Sequence, residues 1–126
     1  MSREYLNAGD VLEIHAALIE RFGGAHGLRD PGQLDAALHR PQSGYYCDVI
    51  EEAAALWESL SQNHPFIDGN KRTALDAMHV FFELNGIELA ATTEALFGFV
   101  VPLYDEGRFC FEELEPWLRA NTRGRI

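Results

Sequence analysis

Three observations predict an all-α fold. Alanine and leucine occur 15 times each among 126 residues, while valine, isoleucine and threonine together number only 15. That balance favours helix over sheet. Apolar residues recur at three- and four-residue spacing along most of the chain, and capping residues, prolines and glycines fall where such stretches begin and end.

The elements follow in order. Asp10 is expected to cap a helix carrying Val11, Ile14, Leu18 and Phe22, stopped by Gly23-Gly24. Asp30-Pro31 pairs a cap with proline at the first helical position and opens a short helix through Leu34, Ala37 and Leu38. The run from Pro41 to Tyr46 reads as a loop. Asp48 starts a long helix with Ile50, Ala54, Trp57, Leu60 and Ser61 on one face, ended by His64-Pro65. After the short loop Phe66-Ile67-Asp68-Gly69, a helix is expected from about Asn70 to Asn85, closing on Gly86. Ala74, Ala77, Met78, Phe81, Phe82 and Leu84 cover more than half of its circumference, the pattern of a central buried helix. Ile87 to Ala90 is a candidate extended piece. Thr92 or Thr93 caps a helix through Leu96, Phe99 and Val100, with a kink expected at Pro102. The last helix is expected over Phe111 to Asn121, with Leu114, Trp117 and Leu118 inward and Pro116 in its body. The sum is a compact all-α bundle of about six helices, in one domain over residues 1–126.

Composition narrows the function classes. Apolar residues at 47% and charged residues at 24% are those of an ordinary globule. No apolar run is long enough to cross a membrane. The start, Met1-Ser2-Arg3-Glu4-Tyr5, lacks the basic-then-apolar pattern of a secretory signal. Cys47 and Cys110 are too few for a disulfide framework and lack zinc spacing, so a cytoplasmic location with two ordinary thiols is expected. The net charge of −10 argues against direct nucleic-acid binding, which rests on neutralising phosphates. Nine of the ten basic residues are arginine; the one lysine, Lys71, stands beside Arg72.

Chemistry concentrates between His64 and Thr73. Gly69 and Asn70 lead into a helix N-terminus, where unpaired N–H groups form an anion site. Lys71 and Arg72 put two cations on that first turn, against the positive end of the helix dipole. A bound phosphate would account for them. Asp68 is a single carboxylate, and Mg²⁺ on a nucleotide is typically held by one or two carboxylates together with phosphate oxygens and water. His64 is the candidate base. Base, metal ligand and phosphate clamp within nine residues suit phosphoryl or nucleotidyl transfer, which is largely positioning and charge stabilisation. Each piece also has a plainer reading: His-Pro as a helix stop, Asp-Gly-Asn as a turn, Lys-Arg as a solvated face. His15 and His79 read as core or boundary histidines. Trp57 and Trp117 read as core anchors, and Phe66 as the residue that pins the loop. Tyr45 and Tyr46 read as loop packing rather than as a docking edge.

The segment His64-Pro65-Phe66-Ile67-Asp68-Gly69-Asn70-Lys71-Arg72 resembles the signature of the Fic/Doc family, His-x-Phe-x-Asp/Glu-Gly/Ala-Asn followed by Gly or Lys and then Arg. Lys71 stands where the Fic branch has glycine, and Leu75 where it has a second arginine. Both departures point to the death-on-curing branch, toxins of type II toxin–antitoxin modules. His15, Gly23-Gly24, Gly27, Arg29-Asp30-Pro31-Gly32 and Leu38-His39-Arg40 extend the resemblance over most of the chain. It implies a Fic fold and an ATP- and Mg²⁺-dependent kinase that transfers the γ-phosphate to a hydroxyl on a translation elongation factor of the Tu type. His64 would take the hydroxyl proton, and Asp68 would hold Mg²⁺. Gly69, Asn70, Lys71 and Arg72 would grip the phosphates, with Lys71 as the expected switch from the Fic reaction. Pro65 and Gly69 are Fic-like, which keeps AMP transfer to a protein hydroxyl as the alternative enzyme reading. A non-catalytic translation-inhibiting binder is the alternative of another class. Pro102 stands where an inhibitory helix ending in Glu106-Gly107 would need a hydroxyl residue, so a cognate antitoxin is expected to inhibit in trans.

Overall fold

A computed structural model describes residues 2–124. Six helices carry the fold: α1 (Ala8–Phe22), α2 (Pro31–His39), α3 (Val49–Gln62), α4 (Asn70–Leu84), α5 (Thr93–Asp105) and α6 (Phe111–Ala120). A 3-10 turn at Arg40–Gln42 follows α2 and overlaps the start of the stretch expected to be loop. Two short strands, β1 (Ile87–Leu89) and β2 (Thr122–Gly124), pair antiparallel, with Glu88 opposite Arg123. The sequence marks β1 but not β2. A three-residue strand after a helix has no periodicity of its own, and the pairing exists because α6 returns the chain to β1.

Most caps fall on the residues that the sequence marks. Asp30, Asp48 and Thr92 each accept from a backbone N–H three residues on. The first helix differs. Asn7 is its cap, and Asp10 is the third helical residue, reaching back to the Asn7 N–H in a reciprocal capping box. Asp10 suits either position, and the apolar pattern from Val11 onward does not separate them. Pro102 and Pro116 both sit inside helices on exposed faces.

The helix buried around most of its circumference is α3 rather than α4. Ten of its 14 residues are buried, against six of 15 in α4. The run Ala53-Ala54-Ala55 is fully enclosed because methyl side chains let α2, α4 and α6 approach α3 closely. Leu84, expected inward, lies half exposed at the end of α4. Trp57 is buried, whereas Trp117 is half-buried and stacks on Phe99 with the rings 4.6 Å apart. A single apolar cluster joins side chains from all six helices, with Trp57, Phe66, Phe81 and Phe82 as its largest fully buried members. The α3–α4 pair forms its middle, so the loop between those helices emerges directly from the packed core.

Candidate active site

The loop from Asn63 to Gly69 has little secondary structure of its own. It is held by the core beneath it and by the segment Gly24–Asp30 beside it. Phe66 is 1% exposed and stacks on His15, ring centres 3.9 Å apart and 6° from parallel. His15 Nε2 lies 2.8 Å from the Asp68 carbonyl oxygen. A carbonyl only accepts, so this ring nitrogen carries the proton and donates. His15 is therefore buried, as the sequence suggests, but its polar end binds the loop.

The neighbouring segment runs as a brace. Ile67 N–H donates to the Gly27 carbonyl at 3.1 Å. The N–H groups of Arg29 and Asp30 both donate to the Pro65 carbonyl, at 2.7 and 3.0 Å. Leu28 and Phe66 form an isolated antiparallel bridge. Gly24 has φ +117, and a Cβ there would lie 2.8 Å from Asp68 Oδ2, so only glycine admits this approach.

Asp68 is exposed, and its carboxylate accepts from two backbone donors: Gly69 N–H on Oδ1 at 2.9 Å and Ala25 N–H on Oδ2 at 3.2 Å. Each oxygen keeps a further lone pair, which fits a ligand held from the solvent side. Among the described residues, no group of three or more His, Cys, Asp or Glu could hold a metal ion by itself. The donor set thus suits a divalent ion that arrives on phosphate oxygens and water, not one caged by the protein.

Gly69 caps α4 in the left-handed region, φ 76 and ψ 19, without a side-chain hydrogen bond. A Cβ at Gly69 would come 3.2 Å from Ile19 Cδ1, so both backbone and space favour glycine. The first intrahelical bond comes from Thr73 N–H to the Gly69 carbonyl at 3.0 Å. The N–H groups of Asn70, Lys71 and Arg72 precede it in the turn whose donors have no intrahelical acceptor. The Asn70 side chain is committed to the loop. Its Oδ1 accepts from Phe66 N–H and its Nδ2 donates to the Phe66 carbonyl. What Asn70 has left for an anion is its backbone N–H.

Lys71 and Arg72 leave the helix end over aromatic faces. Lys71 Nζ sits 4.4 Å from the Tyr104 ring centre, and Arg72 Cζ sits 4.0 Å from that of Phe22. These contacts offset part of the unfavourable placement of two cations at a positive helix end. Tyr104 is itself fixed. Its hydroxyl lies 2.7 Å from Ser61 Oγ, its ring stacks on Phe109 at 4.3 Å, and burial pushes its hydroxyl pKa up to about 12. Both cations border a cleft of about 600 Å³ between α1, α4 and α5, with Leu75, Phe97 and Val101 among its apolar walls.

His64 is exposed at the start of the loop, and its backbone is left-handed at φ 49. All six residues marked by sequence thus lie on one junction between loop and helix. Local sequence patterns assign no role at the site to Arg29, Tyr104 or Phe22, and do not show the loop contact of His15. Each acts across a gap of at least 33 positions, and no local pattern announces such a contact. Tyr46 packs near Phe111 and accepts from Arg40 Nε at 2.7 Å, while Tyr45 is 82% exposed and meets the loop through an edge-on contact with the Tyr46 ring at 5.1 Å.

No helix among the described residues is long and apolar enough to cross a membrane. A family model described as the Fic/DOC family matches residues 5–82. That span includes the whole loop and ends inside α4, so Tyr104 falls outside it. "Toxin Doc" of Mycolicibacterium smegmatis is 46% identical over 93 residues, covering 70% of this chain and 69% of the relative. "Protein kinase doc" of Escherichia phage P1 is 31% identical over 94 residues, covering 71% of this chain and 75% of the relative.

Proposed function

The chain belongs to the Fic/DOC family, and from that premise we propose that it is a toxin kinase, one catalytic domain over residues 1–126, acting in the cytoplasm. It transfers the γ-phosphate of ATP to a hydroxyl on a translation elongation factor of the Tu type and so halts translation. The observation that carries the reading is the junction itself. A hydrogen-bonded loop presents an exposed histidine, an exposed carboxylate and an α4 N-terminus bare of side-chain caps within nine residues. The name of the phage relative, a protein kinase at 31% identity, supports phosphoryl over adenylyl transfer.

The chemistry assigns each group a task. His64 takes the proton from the target hydroxyl as its oxygen bonds to the γ-phosphorus. The bond from that phosphorus to the β,γ-bridging oxygen breaks, and ADP leaves with the electron pair. The imidazolium then returns its proton to water, to which His64 is open. The N–H groups of Asn70, Lys71 and Arg72 and the two cations hold the phosphates, as a helix N-terminus does for anions. Asp68 would hold Mg²⁺, which would neutralise charge on the nucleotide. A cognate antitoxin supplies inhibition in trans.

The reading is tested by incubating the protein with elongation factor, Mg²⁺ and ATP and weighing the factor by intact-mass spectrometry. A gain of one phosphoryl group, absent with His64→Ala, supports it. A gain of one AMP makes the chain an adenylyl transferase. A folded His64→Ala protein that still blocks translation overturns both enzyme readings in favour of a binder.

A further inference from the structure

The loop has one residue whose backbone conformation is unusual for its side chain. His64, at φ 49, is the one non-glycine residue with positive φ among those described. Pro65 follows it, and a residue before proline is pushed out of the right-handed helical region. Proline alone sends such a residue to extended backbone, so something else must select the left-handed one.

Arg29 occupies the position to do so. Its Nε donates to the His64 carbonyl at 2.7 Å, and its Nη2 donates to the Asn63 carbonyl at 3.0 Å. These are the carbonyls of the two peptide planes that flank the His64 α-carbon. Holding both planes fixes φ and ψ of His64 together, and so fixes the direction in which its side chain leaves the backbone. The Arg29 backbone is anchored in turn, because its N–H and that of Asp30 share the Pro65 carbonyl. A planar guanidinium with two donors on one edge suits this task; an ammonium is a single point donor.

We infer that Arg29 is a positioning residue for His64, acting through the two peptide carbonyls that flank it. The inference rests on His64 as the transfer residue of the proposed reaction. A plain helix cap is the competing role, since a cation near the last carbonyls of α3 also favours the helix dipole. Lysine separates the two roles, because it restores the charge but not the two-pronged grip.

The test compares wild type, Arg29→Gln and Arg29→Lys by turnover, by the melting-temperature shift on adding ATP with Mg²⁺, and by crystal structures of the variants. In both variants the expected kcat is about tenfold to about a hundredfold below wild type. KM for ATP and the nucleotide-induced shift stay unchanged, and His64 leaves the left-handed region. Methylguanidinium added to Arg29→Gln restores part of the turnover. Three results would overturn the inference: wild-type kcat in Arg29→Lys, loss of nucleotide binding in proportion to turnover, or an unmoved His64 backbone in Arg29→Gln. Absence of phosphoryl transfer by the wild type sinks the reaction assigned to His64 instead, and the variant structures still decide whether Arg29 holds it.

Discussion

Asn70 grips the backbone of Phe66 with both ends of its amide, Oδ1 accepting from the N–H at 2.9 Å and Nδ2 donating to the carbonyl at 3.0 Å. Phe66 is the residue that plugs the loop into the core, so this pair ties the first turn of α4 to the anchor of the loop. The bend between Phe66 and Asn70 is thereby closed at both ends. An asparagine here does structural work on which the anion site depends.

Replacing Asn70 with alanine leaves a buried backbone N–H and carbonyl without these partners. A loss of about 2 kcal/mol is expected from two such bonds, measured as a lower urea midpoint with an unchanged slope. Transfer should fall as well, because the loop that carries His64 and Asp68 loosens. Unchanged stability in Asn70→Ala would mean that burial in the core, the stack on His15 and the neighbouring brace hold Phe66 without the Asn70 amide.

Lys71→Ala should lower transfer by about a hundredfold or more, the scale for removing one preorganised charge-stabilising donor. Tyr104→Leu removes the ring that steadies the ammonium, and a cation–π contact is worth about 0.5–2 kcal/mol. A KM for ATP raised several-fold is expected, with Tyr104→Phe close to wild type because the π face survives. Equal kinetics in Tyr104→Leu and wild type would show that Lys71 needs no support from α5.

Asp68→Asn keeps the acceptor oxygen but loses the charge. Its expected signature is a higher Mg²⁺ concentration for half-maximal transfer, together with a kcat that falls by at least tenfold. A Mg²⁺ titration identical to that of the wild type would take the metal role from Asp68.

His79 provides a pH dependence separate from the site. Burial lowers its pKa from 6.5, and Asp76 and Glu83 oppose that shift without reversing it. The unfolded chain therefore binds a proton that the folded chain resists. Its contribution to stability is intact above the unfolded value of about 6.5 and is lost as pH falls through it towards the folded pKa. His79→Gln should unfold at urea midpoints that change less between pH 7.5 and about 5.5 than those of the wild type, and a parallel change in both proteins would contradict this account.

Much of the fold is legible in the amino-acid sequence. Caps at Asp30, Asp48 and Thr92, and the loop between two apolar helices, follow from local chemistry that a sequence displays. The exceptions share a cause. Which of α3 and α4 lies deepest depends on how closely neighbours approach, and the alanines at 53–55 decide that only when α2, α4 and α6 are in place. Strand β2 exists only by virtue of its partner. At the site, the six marked residues lie in one continuous segment and are visible as such. Their supports, His15, Arg29, Phe22 and Tyr104, come from three other parts of the chain. The two cations of α4 look misplaced in sequence because the aromatic rings beneath them are distant in it.

The central claim is phosphoryl transfer dependent on His64. It is tested most directly by giving the protein ATP labelled at either the α- or the γ-phosphate, with Mg²⁺ and bacterial elongation factor, and following label on the factor. The account predicts label from the γ position alone, and none with His64→Ala. Label from the α position, or γ label that persists in His64→Ala, would contradict it.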